Sequence, residues 1–255
     1  MAVIEGSGLT IDMDDNHRPV LVRATLRTGV GYDPPYGLDL AGLLATRMRS
    51  VQSAGLEQAQ RLTKTPLPDT TEEDPGDLNL PLSRCLTGAD WHWLASCAIP
   101  IAADDFPEPR TYYRVVDSSW AQRAATRPLT YAHPSSGPYR DVMMPAPVIV
   151  CREVTWHAVG DLDAIRRLVS PLRFIGRRRS TGEGGVIGWT VTPVDTDPIR
   201  WAHESESSII RPCPQECAQG LGVDFGMGWY AIRPPSWHPD RLQQLAIATE
   251  PEEEW

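Results

Sequence analysis

The sequence predicts an α+β protein, and three observations predict it. Stretches with period-two alternation and stretches with helical spacing follow one another in the order strand, helix, strand, strand, helix, strand. Two long proline-rich segments interrupt that order, and a third follows it as a tail. At 255 residues the chain is long enough to bury a sizeable core in one elaborated domain.

Residues 1–19 are polar and irregular, and are expected to form a loose N-terminal arm. Val20, Val22, Ala24 and Leu26 then alternate with Arg23, Thr25 and Arg27, which predicts a half-buried strand with one polar face. The turn-forming run Gly31-Tyr32-Asp33-Pro34-Pro35-Tyr36-Gly37 leads into a helix over 38–51. Leu40, Leu44, Met48 and Val51 line one face there, with Asp39 as its N-cap. Residues 52–86 carry prolines and acids and read as mostly loop with one short helix.

Trp91 to Ile99 reads as a second strand, with Trp91, Trp93, Ala95, Cys97 and Ile99 on one face. Residues 102–146, rich in Pro, Tyr and Arg, are longer than a connection needs to be. Val148 to Val159 is a third strand, bulged near Arg152. Gly160-Asp161 caps a short helix that buries Leu162, Ile165, Leu168 and Val169 and ends at Pro171. A basic, glycine-rich loop and a strand over Val186–Val194 complete the set. This is the split β-α-β pattern of ferredoxin-like folds. The expectation is therefore an RRM-like βαββαβ core over 20–194 with insertions at 52–90 and 102–146. An irregular C-terminal extension, 195–255, would pack on it.

Composition narrows the class. With 41% hydrophobic and 22% charged residues the chain is that of an ordinary soluble protein, and no apolar run approaches the about eighteen residues a spanning helix needs. The start lacks a basic stretch followed by an apolar one, so cytoplasmic residence without membrane contact is the expectation. Five cysteines argue against a disulfide framework, and Cys97 and Cys151 sit in apolar runs as core residues. The net charge of −9 opposes polyanion binding as a sum but not in its distribution. Acids gather at 69–77 and 250–254, and the cations are arginines except for Lys64. Arginine forks suit phosphates and base edges, although genomic base composition is the better explanation of such a bias.

The loop from Arg173 to Gly185 carries the most information. It holds Arg173, Arg177, Arg178 and Arg179 against the single acid Glu183, with glycines at 176, 182, 184 and 185. Glycines let a backbone approach a ligand, and guanidinium forks with exposed amides can hold phosphate oxygens. The plain alternative is a solvated hairpin. A Walker loop would need a Lys-Ser/Thr pair after its last glycine, and a dinucleotide fingerprint would need a strand before the glycines and a helix after them. Neither condition is met. In the long insertion, Tyr112, Tyr113, Arg114, Arg123, Arg127, Tyr139 and Arg140 mix cations with stacking rings, as single-stranded RNA sites do, and an ordinary surface loop accounts for them equally well.

Two other chemistries have weaker signals. Cys213-x-x-x-Cys217 with His203 and His238 could ligate zinc, but the spacing is irregular, and no metal or other cofactor is assigned. Metal-independent RNA cleavage would need a general base, for which His157 and His133 are candidates, while Lys64 beside the acidic run is poorly placed to help.

The run Ala158-Val159-Gly160-Asp161, the following helix, Phe174 to Arg179, and Gly182-x-Gly184-Gly185-Val186 with Trp189 together resemble the RAMP superfamily of CRISPR proteins. Val30-Gly31-Tyr32-Asp33-Pro34-Pro35 with Leu38 to Ala45 is similar to the first helix of type IV members. Arg211-Pro212-Cys213-Pro214 and Arg233 to His238 are similar to C-terminal blocks of the type IV Cas-five subunit. The likeness covers roughly 20–50 and 147–240, and Gly-Glu-Gly-Gly departs from the usual Gly-x-Gly-basic ending. It implies a non-catalytic subunit of a type IV ribonucleoprotein that caps the guide RNA at its 5′ handle. The contacts it implies are Gly176, Arg177, Arg178, Arg179, Gly182 and Gly184, to which Tyr139 and Arg140 are added as a stacking ring and a cation. Implied partners are guide RNA, the backbone subunits and, further off, target DNA. A guide-processing endoribonuclease of the same superfamily is the alternative.

Overall fold

The structure is a computed structural model and describes residues 2–6, 8–32, 36–63, 77–101, 108–114, 141–236 and 238–249. The expected loose arm is instead a hairpin, β1 (Ala2–Gly6) against β2 (Leu9–Met13). Leu9 and Ile11 alternate with polar neighbours and are fully buried, so the segment belongs to the packed protein.

β3 (Arg18–Leu26) has the anticipated face, with Val20, Val22, Ala24 and Leu26 buried and Leu21, Arg23 and Thr25 half-buried. Helix α1 (Leu40–Thr63) starts where expected, because Asp39 accepts the amides of Ala41 and Gly42 at 3.1 Å each. It runs twelve residues further than 38–51 suggested. Ala54, Leu56, Glu57, Ala59 and Leu62 are good helix formers, and the first proline comes only at Pro66.

The Trp91–Ile99 stretch is not one alternating strand. It supplies β5 (His92–Trp93), which pairs with β4 (Arg84–Cys85), and then crosses to another sheet as β6 (Ile99–Ile101). Residues 92–98 are buried throughout, so alternation had no polar side to show. The predicted third strand, Val148 to Val159, is largely β9 (Glu153–Gly160), with a break at 149–152 where the bulge near Arg152 was expected. Before it, within the expected insertion, β7 (Glu108–Arg114) and β8 (Val142–Val148) pair as an antiparallel hairpin.

Helix α2 (Leu162–Val169) is capped by Asp161, whose carboxylate accepts the Ala164 amide at 2.9 Å. β10 (Val186–Pro193) follows. The central sheet has the order β10-β3-β9-β6, antiparallel at each joint, with α1 between β3 and β6 and α2 between β9 and β10. Leu40, Leu44, Ile165 and Val169 cover the apolar face of β3 and β9, around Trp156. Trp189 stacks on Trp156 with ring centroids 5.7 Å apart and donates to the Leu172 carbonyl.

The segment after 195 is more ordered than an irregular extension. It holds α3 (Pro198–Trp201), β11 (Glu204–Ser205), β12 (Ser208–Ile209), α4 (Gln215–Leu221), β13 (Phe225–Ala231) and β14 (Leu242–Ala248). With Leu9, Ile11, Cys85 and Leu94 these elements bury a second apolar core. Buried Arg211 ties the two parts together by donating to the carbonyls of Trp93, Ala95 (2.7 Å) and Ile232 (3.2 Å). Arg233 pairs with Asp77 and Asp90 over the Trp91 ring, so the conspicuous C-terminal arginines are braces. Among the described residues no helix is long and apolar enough to cross a membrane.

Candidate nucleic-acid interface

The loop from Arg173 to Gly185 joins α2 to the edge strand β10 and lies along residues 27–31, which leave β3. Three backbone bonds lace it there. Arg177 N donates to Gly31 O (2.6 Å), Gly184 N to Gly29 O (2.8 Å) and Arg27 N to Gly185 O (2.8 Å). Inside the loop Ile175 is buried and its amide donates to Gly184 O. Gly184, at φ +67°, leaves no room for a Cβ, which would overlap the Ile175 carbonyl oxygen. Gly182, at φ +95°, has open space beside it and needs glycine only for its backbone.

This changes the role of the amides. A cradle of exposed N–H groups was expected, yet those of Ile175, Arg177 and Thr181 to Val186 are all satisfied within the protein. The glycines build a fixed frame, and the guanidinium groups are what the frame presents. Arg173, Arg177 and Arg179 are exposed. Arg178, itself at φ +59°, is half-buried over the Tyr112 ring at 5.3 Å.

The loop's single acid does not offset those arginines. Glu183 is 5% exposed and turned toward the β7–β8 hairpin, where Arg110 Nη1 (2.7 Å) and Tyr112 Oη (2.9 Å) both donate to its Oε1. Arg110 also holds Glu108 at 3.0 Å, and these two carboxylates keep its guanidinium charged. The hairpin is therefore docked on the loop through Arg110, Tyr112 and Met144, the last of these 3.6 Å from Arg178. Tyr113, on the opposite face of β7, is 71% exposed beside Met143.

A cleft of about 520 Å³ opens next to the frame, lined by Arg27, Arg173, Phe174, Gly182, Gly185 and Val186. Its two arginines and the Phe174 ring, 43% exposed, combine anion contacts with a stacking surface. Arg27 and Phe174 were not among the sequence-predicted contacts. Arg27 sat in the pattern as the polar face of a strand, and Phe174 as the start of the loop motif.

The other predicted residues are scattered. Tyr139 and Arg140, with Arg123, Arg127, His133 and Lys64, lie outside the described residues. His157 is packed flat on Trp201, 3.7 Å between centroids, and its Nδ1 donates to the Trp201 carbonyl. Burial lowers its pKa. Of the four residues considered as a zinc set, His203 and Cys217 do come together, but with Cys85 and His92 rather than with His238. His238 instead caps the turn that begins at Pro239.

With this geometry in place, one comparison decides the family. The family model described as CRISPR type IV associated protein Csf3 matches residues 18–248. The chain belongs to the Csf3 family. No curated protein matches it. Membership gives the chain a place in type IV CRISPR complexes, among other subunits. The match spans the central sheet, the loop frame and the C-terminal elements, leaving out only the β1–β2 hairpin and the last residues.

Proposed function

We propose that this Csf3-family chain is a non-catalytic subunit that holds guide RNA, at its 5′ handle, against the arginine frame and the adjoining cleft. The observation that carries the reading is the neutralised acid. With Glu183 taken by Arg110 and Tyr112, the loop presents Arg173, Arg177 and Arg179 as exposed cations, and Arg27 and Arg173 line a cleft containing an exposed aromatic ring. Phosphate contacts with a stacked base are the usual grip on single-stranded RNA. The overall charge of −9 does not oppose this, since surface fields are screened over roughly 10 Å.

The sheet order supports the superfamily reading. Strands taken in chain order as first (β3), second (β6), third (β9) and fourth (β10) lie as fourth-first-third-second, with both helices on one face. That arrangement is read as a ferredoxin-like RAMP core decorated by the β7–β8 hairpin. Its polar loop then takes the RNA while the remaining surface meets backbone subunits. Of the two candidate bases for the endoribonuclease alternative, His157 is stacked on Trp201 and donates to its carbonyl, which favours the non-catalytic reading.

Ultraviolet crosslinking of the assembled complex, followed by mass spectrometry, tests the site. Crosslinks from guide RNA to peptides containing Phe174 or Tyr113 are expected. Crosslinks confined to the β13–β14 side of the chain would overturn the assignment.

A further inference from the structure

Away from the loop, two cysteines and two histidines from four different elements converge in the second core. They are Cys85 on β4, His92 on β5, His203 just after α3 and Cys217 on α4, and all four are fully buried. Their ligand atoms lie within 4.8 Å of one another. The two sulfurs are 3.7 Å apart and the two Nε2 atoms 3.0 Å apart. In a tetrahedral zinc site, Zn–S bonds of about 2.3 Å place two sulfurs about 3.8 Å apart, and Zn–N bonds of about 2.05 Å place two nitrogens about 3.3 Å apart. The sulfur pair already has the tetrahedral edge length, and the nitrogen pair needs only to open slightly.

The surroundings prepare the ligands. His203 Nδ1 donates to the Ile199 carbonyl at 2.6 Å, which leaves the Nε2 lone pair aimed into the cluster. That outer contact is the one zinc-bound histidines ordinarily make. The His92 ring stands perpendicular to the His203 ring, at 88°, and its Nε2–H donates to His203 Nε2 at 3.0 Å, a proton that a bound metal ion would replace. Two sulfurs and two ring nitrogens buried at these separations are a donor set that a divalent ion can bind by displacing their protons.

We infer that Cys85, His92, His203 and Cys217 bind a structural zinc ion, which fastens the C-terminal elements to the β4–β5 pair. Two sulfurs and two nitrogens suit zinc before other divalent ions, and four protein ligands in a buried site leave no open position for chemistry. The ion ties Cys85 to Cys217 across 132 positions of sequence, joining the parts that form the second core. Cys213 neighbours Cys217 in the same core but is not one of the four.

The test uses the full-length chain, produced with added zinc and purified without chelator. Plasma mass spectrometry should find about one zinc per chain, and X-ray absorption should show a shell of two sulfurs and two nitrogens. The double variant Cys85→Ser/Cys217→Ser should lose the ion, while Cys213→Ser and His238→Ala should keep it. Stripping with a strong chelator should lower the melting temperature of the wild-type chain, with recovery on adding zinc but not magnesium. Because the absorption spectrum needs no variant, a double mutant that fails to fold does not spoil the test. Wild-type chain free of stoichiometric metal, or zinc held in an oxygen shell, would overturn the inference.

Discussion

Arg110 on the β7–β8 hairpin holds the buried carboxylate of Glu183 at 2.7 Å, which turns the only acid of the arginine loop away from the exposed arginines and into the hairpin. One contact thus fixes both the position of the hairpin and the sign of the surface beside it. Replacing Arg110 by Ala leaves a buried acceptor with only the Tyr112 hydroxyl. The expected cost is about 1–3 kcal/mol, read from urea unfolding. Glu183→Gln keeps the shape and removes the charge, so RNA affinity should hold or rise while Arg110→Ala weakens it.

The two glycines of the frame should separate cleanly. Gly184→Ala drives a methyl into the Ile175 carbonyl at a positive φ and should cost about 3 kcal/mol or more. Gly182→Ala meets open space and carries only the backbone strain, about 1–2 kcal/mol. Denaturant melts of the two variants check the order. Equal losses would mean that the frame is not laced as described.

Phe174 is the candidate stacking ring. Phe174→Ala should weaken guide binding by about 1–3 kcal/mol, measured as the dissociation constant of a handle oligonucleotide from the complex. Phe174→Tyr should retain it. Since stacking involves no counterions, the slope of log affinity against log salt should not change in either variant.

How far the sequence disclosed this depended on how local each signal was. The caps Asp39 and Asp161 and the alternation of Val20, Val22, Ala24 and Leu26 are contained within a few residues, and each appears as read. The hairpin at 2–13 did carry a signal in Leu9, Ile11 and Met13, but it is short and flanked by polar residues. Residues 92–98 read as one strand because they are buried throughout, and nothing in the pattern marks where the chain passes from the β4–β5 pair to the central sheet. In the loop, the arginines were legible and the fate of Glu183 was not, since Arg110 lies 73 residues away. The Cys85–His92–His203–Cys217 cluster is more distributed still. Its ligands come from four elements, and only the fold brings them within reach.

Stability should fall in mild acid. Burial holds His157 below the ordinary value of 6.5, and burial does the same for His17 against the pull of Asp14. Below about pH 6.5 the unfolded chain therefore binds protons that the folded chain refuses. Unfolding free energy is expected to drop as pH falls through 6.5 and to level off below the folded values. The slope is at most about 1.4 kcal/mol per pH unit for each histidine. Urea melts between pH 7.5 and 5 check this, and His157→Gln should flatten the profile.

Docking of guide RNA on the arginine frame makes the frame's cations indispensable for retaining it. Arg177, Arg178 and Arg179 changed together to Ala can be assembled with the other subunits, and the RNA that co-purifies at moderate salt can be quantified. The expected result is a folded chain, judged by its circular dichroism, that has lost most of its guide. Its salt slope should be shallower by about 2, as expected for three phosphate contacts to a single strand. Full-length guide retained at wild-type levels, with an unchanged slope, would contradict it.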